Sequence, residues 1–375
     1  MKKHFKHTHM KNQPVKITLS LFSLLIFLNV NAQIKDVGAM LSGSKGDAEK
    51  LMQAYLKPYG NAFGADLNGG WYNTAKPHKL LGFDLTASFS VAFVPSADKT
   101  YNVNDLGLST APTITNGSIA PTVAGSKTDS RPTLEYKTNG VTYAKFNTPN
   151  GTGWGMIPAP MFQLGIGIIK ESDITIRYVP TMNIGNFGSM GLWGIGLKHS
   201  IKQWIPGLKM APFFNLSAFL GYTKMTMNAN LSFPPSFYVS NINAIDETTL
   251  AYDNQKMQMV FKGFTGNIIA SFDLPVVTFY GAVGLSSTRT NLALKGDYPI
   301  ATIETSGTNA GKAVVKDASR LTDPINIKMS SSSGSVTKPR LNAGIKFKMA
   351  VITLHFDYTL ANYSVLTAGL GISFR

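Results

Sequence analysis

His355 and Asp357 stand two residues apart in segment 352–360, where apolar and polar residues alternate. Ile352, Leu354, Phe356, Tyr358 and Leu360 are the apolar set, and Thr353, His355, Asp357 and Thr359 the polar one. In a strand, residues two apart share a face. An imidazole and a carboxylate on one face are the base and orienting acid of an acyl hydrolase, if a neighbouring strand supplies a serine. No nucleophile motif accompanies them, so a polar pair lining an interior is the plainer reading, and catalysis is not expected. His78 and His199 have no partner at metal-ligating spacing, and the chain has no cysteine. No metal, cofactor or disulfide is therefore expected. The Gly-x-Gly pairs at 165–167 and 194–196 lie inside alternating strands rather than at strand-to-helix turns. They read as interior glycines that allow close approach, not as a phosphate loop.

Basic residues are the stronger signal. The same alternation turns Lys346 and Lys348 inward, with Arg177, Lys198 and Lys262, while the direction of Arg289 near a strand end stays open. Inward carboxylates, Asp84 and Asp357, are fewer. The candidate lining set is Asp84, Arg177, Lys198, Lys262, Lys346, Lys348, His355 and Asp357. A cationic interior favours anionic solutes. The competing reading is that these charges form a hydrogen-bonded plug in place of an apolar core.

These side chains need alternating strands to position them, and the last 36 residues supply three: 341–349, 352–360 and 366–374. Other candidates are 63–72, 81–93, 162–169, 174–179, 191–199, 211–223, 256–272 and 276–287, eleven strands in all. Within 256–272 the apolar phase switches from odd (Met257, Met259, Phe261) to even (Phe264, Ile268, Phe272), which predicts a β-bulge near Gly263. Ser44, Asp47 and the apolar residues Ala48, Leu51, Met52, Tyr55 and Leu56 predict a short helix over 45–57, ended by Pro58.

The other end of the chain decides what kind of sheet this is. Five lysines in residues 1–16, an apolar run over 17–30 and Asn31-Ala32-Gln33 describe a secretory signal peptide cleaved after Ala32. Its removal lowers the formal net charge from +15 to +10, because the leader holds five lysines and no acid. No later apolar run reaches 18 residues. An exported chain of amphipathic strands points to an antiparallel transmembrane β-barrel in the cell outer membrane, since only helices and closed barrels satisfy the backbone in lipid. The long Ser/Thr/Asn/Gly/Pro-rich segments 96–160, 228–255 and 291–337 fall at one end and the short turns at the other, as in outer-membrane barrels. Eleven is an odd number, so one strand is hidden or one is false. About twelve strands are expected, within ten to fourteen. Trp71, Tyr72 and Trp204 are expected on a membrane-facing rim.

The division expected is signal peptide 1–32, helical segment 33–60 as a plug or periplasmic element, and barrel 61–375. The segments 174–180 (ITIRYVP), 192–206 (LWGIGLKHSIKQWIP) and the closing GLGISFR resemble an uncharacterised family of Bacteroidetes outer-membrane β-barrel proteins. That resemblance implies a fold and a location, not an activity. More loosely the chain resembles long-chain fatty acid transporter barrels, without their Asn-Pro-Ala hatch motif. The functions left open are a porin-like channel or transporter for small solutes, a structural or partner-binding barrel of a surface assembly, and an outer-membrane lipid-acting enzyme. Expected partners are outer-membrane lipid, the barrel-assembly machinery through the C-terminal strand, and a small solute. Nucleic acid is excluded by export and by the dispersal of the lysines.

Overall fold

The computed structural model describes residues 37–109, 111–128, 130–185, 188–329 and 337–374. The expected leader over 1–32 lies outside the described residues.

Ten long strands form the wall: β1 Phe83–Phe93, β2 Met156–Ile168, β3 Ser172–Ile184, β4 Gly188–Ser200, β5 Phe214–Asn230, β6 Lys256–Asp273, β7 Val277–Lys295, β8 Thr337–Met349, β9 Ile352–Leu360 and β10 Val365–Phe374. Each pairs antiparallel with its neighbours in this order, and β1 pairs with β10 from Phe83↔Phe374 to Ala92↔Val365. The sheet therefore closes into a barrel, with β2 and β3 paired only from Gln163↔Arg177 to Ile168↔Ser172. The Phe83 and Phe374 rings meet at the seam, 5.1 Å apart. A short additional strand, Ile325–Met329, extends the sheet at the far end of β7.

The wall is inverted relative to a soluble protein. Leu366, Leu370, Ile372 and Phe374 are exposed, while Thr367 and Ser373 between them are buried. The same holds on β9, where Phe356 and Tyr358 face out and His355 and Asp357 face in. So large a continuous apolar exterior is stable only against lipid. Short connections 169–171, 274–276 and 350–351 share the end that holds Phe83 and Phe374. The long connections 94–155, 231–255 and 296–336 gather at the other end. In outer-membrane barrels short turns lie at the periplasmic end and long loops at the outer end, and the two ends are called periplasmic and outer in that sense.

The wall has ten strands, the lower end of the expected ten to fourteen, because 63–72 is not a strand. Helix α1 runs Lys45–Asn68, 24 residues, through Pro58. The expected stop at Pro58 does not occur: the helix continues, and Gly60 and Gly64, one turn apart, let it lie close to Thr290 and Thr288 of the wall. A Cβ on Gly64 would sit 1.8 Å from Thr288 Cγ2. Nor is there a bulge at Gly263. Register is continuous along β6 on both sides, from Lys256 to Asp273. The inward positions stay odd throughout; what changes is their partner. Met257, Met259 and Phe261 face α1, whereas Thr265, Asn267 and Ser271 face a polar lumen and the even residues face lipid.

The helix enters from the outer end. Its Ser44 cap accepts from the Asp47 N–H at 3.1 Å. Asp47 Oδ1 in turn accepts from Ser109 N–H and hydroxyl at 2.7 and 2.9 Å. Tyr55 donates to the Asn150 carbonyl at 2.8 Å. Leu51, Met52 and Tyr55 share one core with Tyr136, Phe233, Tyr238 and Tyr298 of the long loops, which fold into a lid over the barrel. From the last helical turn, residues 69–82 form a strap that runs to the periplasmic end, where β1 begins.

Candidate functional site

The lumen holds nearly all the charge the sequence directed inward. Its centre is the C-terminal end of α1, whose last carbonyls have no intrahelical donors. Two arginines from different parts of the wall supply them. Arg177 on β3, fully buried, donates to the Leu67 carbonyl at 3.0 Å and the Gly69 carbonyl at 2.7 Å, and its Nε donates to Gln163 Oε1 at 3.1 Å. Its guanidinium lies 3.6 Å from the centroid of the Trp71 ring. Arg340 on β8 donates to the Asn68 carbonyl, and to the hydroxyls of Thr265 and Thr359 at 3.2 and 3.1 Å. Cations at a helix C-terminus also complement its dipole. The two side chains form a latch that seats the helix.

Below the latch, Asp357 accepts from Asn342 at 2.8 Å and from Tyr280 at 3.1 Å. Trp71, Tyr72, Phe219 and Tyr280 cluster there, with ring centroids 5.5 to 6.5 Å apart. Trp71 and Tyr72 are thus packed inside the lumen on the strap rather than on the rim, because helix and strap, not a strand, occupy this stretch. Trp204 is on the periplasmic rim and exposed.

A second charged cluster closes the periplasmic end. Asp173 on β3 accepts from the His78 N–H at 2.8 Å and its Nδ1 at 3.1 Å, and pairs with Lys198 Nζ at 2.8 Å. His78 Nε2 lies 3.2 Å from Asp84 Oδ1. Only a cavity of about 20 Å³ remains among Trp71, His78, Asp84, Asp173 and Lys198.

Of the residues directed to the lumen by alternation, Asp84, Arg177, Lys198, Lys346, His355 and Asp357 lie there. Lys346 donates to Asn73 of the strap at 3.2 Å. Lys348 is half-buried at the periplasmic end of β8. Lys262 departs from the expectation: it faces outward, because the apparent change of phase on β6 is not a bulge and even positions point out along the whole strand. Arg289 faces outward beside it. Arg340, Asp173 and His78 were not singled out as ligands of anything. Alternation from Leu341 already turns Arg340 inward, whereas the 95-residue separation of His78 and Asp173 leaves no local trace.

The His355 and Asp357 pair has no serine set between them; the His355 ring covers Gly369, where a Cβ would lie 2.1 Å from Cε1. The close serine–histidine contact is elsewhere, Ser172 Oγ to His199 Nδ1 at 2.7 Å. Among the described residues no carboxylate orients that imidazole, which packs on Trp204. No group of three or more metal-ligating side chains forms among the described residues.

A family model described as a family of unknown function, DUF6588, matches residues 10–374. The chain belongs to that family. No curated protein matches the sequence. Among solved structures it is similar to the outer membrane protease OmpT from Escherichia coli, at 8% identity and a TM-score of 0.28, over 82% of this chain and 100% of that one. It is also similar to the transport unit of the autotransporter AIDA-I from Escherichia coli, at 8% identity and a TM-score of 0.26, over 85% and 98%. The Ralstonia pickettii toluene transporter TbuX matches at 7% identity and a TM-score of 0.23, over 79% and 90%. The barrel, latch and lumen chemistry of this family member are read from its own residues.

Proposed function

We propose that this chain is an integral outer-membrane barrel, closed at rest, that presents a folded lid at the cell surface for partner binding or attachment. The observation that carries the reading is the seating of α1 by Arg177 and Arg340. Above the latch the lumen is an apolar core of Leu51, Met52, Leu56 and Phe63 against Met257, Met259, Phe261 and Leu292. Below it, strap and wall exchange buried polar contacts. A standing aqueous channel has no path through such packing. Purified protein in planar bilayers is expected to give no conductance steps. Steady ohmic conductance of the wild-type chain would overturn the reading.

A second reading has its own observation. Beside the short β9–β10 turn, a cavity of about 610 Å³ is lined by outward Val283, Leu341 and Leu360 with Pro339, Ala361 and Asn362. A smaller one, about 60 Å³, lies on the helix side of the same turn, against Asn61, Ala65 and Thr288, and shares Lys338, Ala361 and Asn362. The two give an amphipathic solute a route between the lipid face and the helix. Uptake of a hydrophobic dye by vesicles holding the protein, blocked by Ala361→Trp, supports this transport reading; equal uptake with empty vesicles removes it.

A further inference from the structure

Three of the basic residues that face away from the lumen form a row. Lys224 on β5 is directly opposite Lys262 on β6, and Lys262 is directly opposite Arg289 on β7. All three point outward, with Lys262 and Arg289 exposed. Directly opposite residues on adjacent strands have Cβ atoms about 5 Å apart, and like charges so placed repel. Among the described residues none of the three makes a hydrogen bond or ion pair that offsets this. Lys295, higher on β7, shows the alternative, since it pairs with Asp323 at 2.8 Å. The row continues into aromatic side chains. Trp193 on β4 is opposite Lys224, and Tyr178 on β3 is opposite Trp193, both exposed. The Tyr222 ring is 5.5 Å from that of Trp193.

The height of the row identifies its surroundings. Phe214, Phe272 and Phe279 mark the periplasmic end of the apolar face on β5, β6 and β7, each ten residues from the basic side chain on its strand. Ten residues of strand rise roughly 33 Å along the chain. At the usual tilt that is about 25 Å across the membrane, the height of the apolar band of an outer-membrane barrel. The charges therefore sit where hydrocarbon gives way to headgroups, at the outer leaflet.

We propose that Lys224, Lys262 and Arg289 bind the phosphate of a phosphorylated glycolipid of the outer leaflet. The ammonium groups and guanidinium donate charge-assisted hydrogen bonds to the phosphate oxygens. Trp193 and Tyr222 lie along the sugar and the first acyl carbons, as interfacial aromatics do. A lipid-borne phosphate is favoured over a free one because the three side chains stand on the outward, lipid-facing side of the wall and not in the lumen. The inference rests on the membrane reading above.

The full chain, refolded in detergent, is titrated with bisphosphorylated lipid A and with the same lipid stripped of phosphate, and retained lipid is counted by native mass spectrometry. The phosphorylated lipid is expected to bind at least tenfold more tightly than the stripped one. The triple variant K224S/K262S/R289S is expected to lose that difference while keeping the heat-modifiable gel mobility of a folded barrel. Equal retention by wild type and folded triple variant overturns the site, as does displacement of the lipid by millimolar inorganic phosphate, which marks a general anion site. Protease protection in vesicles separates the two levels: a protected barrel without the preference loses only this proposal, whereas an unprotected chain loses the membrane reading.

Discussion

Arg177 lies 3.6 Å over the Trp71 ring while the same guanidinium holds the carbonyls of Leu67 and Gly69. One wall residue thus fixes the last turn of α1 and the first residues of the strap. An ammonium cannot meet the two carbonyls, Gln163 and the ring face at once, so Arg177→Lys is not conservative here. Arg177→Leu leaves the Gly69 carbonyl unpaired, at about 1–3 kcal/mol, leaves the Leu67 carbonyl with only the Thr223 hydroxyl at 3.4 Å, and removes a desolvated cation–π contact worth about 2 kcal/mol. The R177L/R340L pair is expected to lower the temperature of heat-modifiable mobility and to produce intermittent conductance where the wild type gives none. A silent bilayer record from the folded double variant would show that the latch does not hold the plug.

Asp173 is the shared acceptor of the periplasmic cluster. Its removal takes the charge partner from Lys198, whose other contact is the Lys76 carbonyl at 3.4 Å, and the acceptor from the His78 backbone N–H, in a site with almost no free volume. Breaking a buried charge pair from one side costs about 3–5 kcal/mol. Asp173→Ala is therefore expected to lower the urea midpoint in lipid vesicles well below wild type, and D173A/K198M to recover part of the loss. An unchanged midpoint for D173A would mean that the cluster is solvated in the membrane.

Much of this was legible in the chain and the remainder was not, for identifiable reasons. Period-two alternation located every wall strand, because lipid outside and polar groups inside impose it on each strand separately. The stretch 63–72 defeated it. Phe63, Ala65, Leu67 and Trp71 alternate by residue type, yet α1 buries Phe63 and Leu67 against Phe261 and the wall, and Gly60 and Gly64 serve close packing rather than strand curvature. The false strand accounts for the odd count. Lys262 was misplaced by the same cause seen from the wall: a helix in the outer half of the lumen makes inward residues apolar there, which imitates a bulge. The ligands of the helix end come from β3 and β8, more than a hundred residues from Leu67 and Asn68, and locally only the inward position of each arginine is readable, not its partner.

The lid carries a pH dependence. The Thr249 hydroxyl donates to Asp317 Oδ2 at 2.6 Å and the Thr249 N–H at 2.9 Å, with Tyr252 on the other oxygen at 3.1 Å. The Thr249 hydroxyl first, then the backbone N–H groups, hold the Asp317 carboxyl below its ordinary value. A carboxyl lowered on folding contributes stability that is complete above its unfolded pKa, near 4, and is lost as pH falls through the lower folded value. Docking of 231–255 on 296–329 is expected to be constant from pH 7 to 5 and to loosen below about pH 4, read as faster proteolysis within 231–255 by an acid-active protease. Asp317→Asn should cleave at the faster rate already at pH 5. Identical rates for the two proteins across the range would remove Asp317 as the tie.

The direction of α1 leads to the last prediction. Asp47 and Tyr55 are fastened to the loop lid, while Leu67 and Gly69 are fastened to the wall below it. If the long loops are outside, the N-terminal turn of the helix is outside too, and the chain threads the lumen before β1 starts at the periplasmic end. Gly46 is exposed in that turn, with open space where a Cβ would go. Lys209 is exposed in the connection between β4 and β5 at the opposite end. The chain has no cysteine, so G46C and K209C each provide a single thiol. On intact cells a membrane-impermeant maleimide is expected to label G46C and to spare K209C until the outer membrane is permeabilised. The reverse pattern would invert the barrel, and would carry the row at Lys262 to the periplasmic leaflet with it.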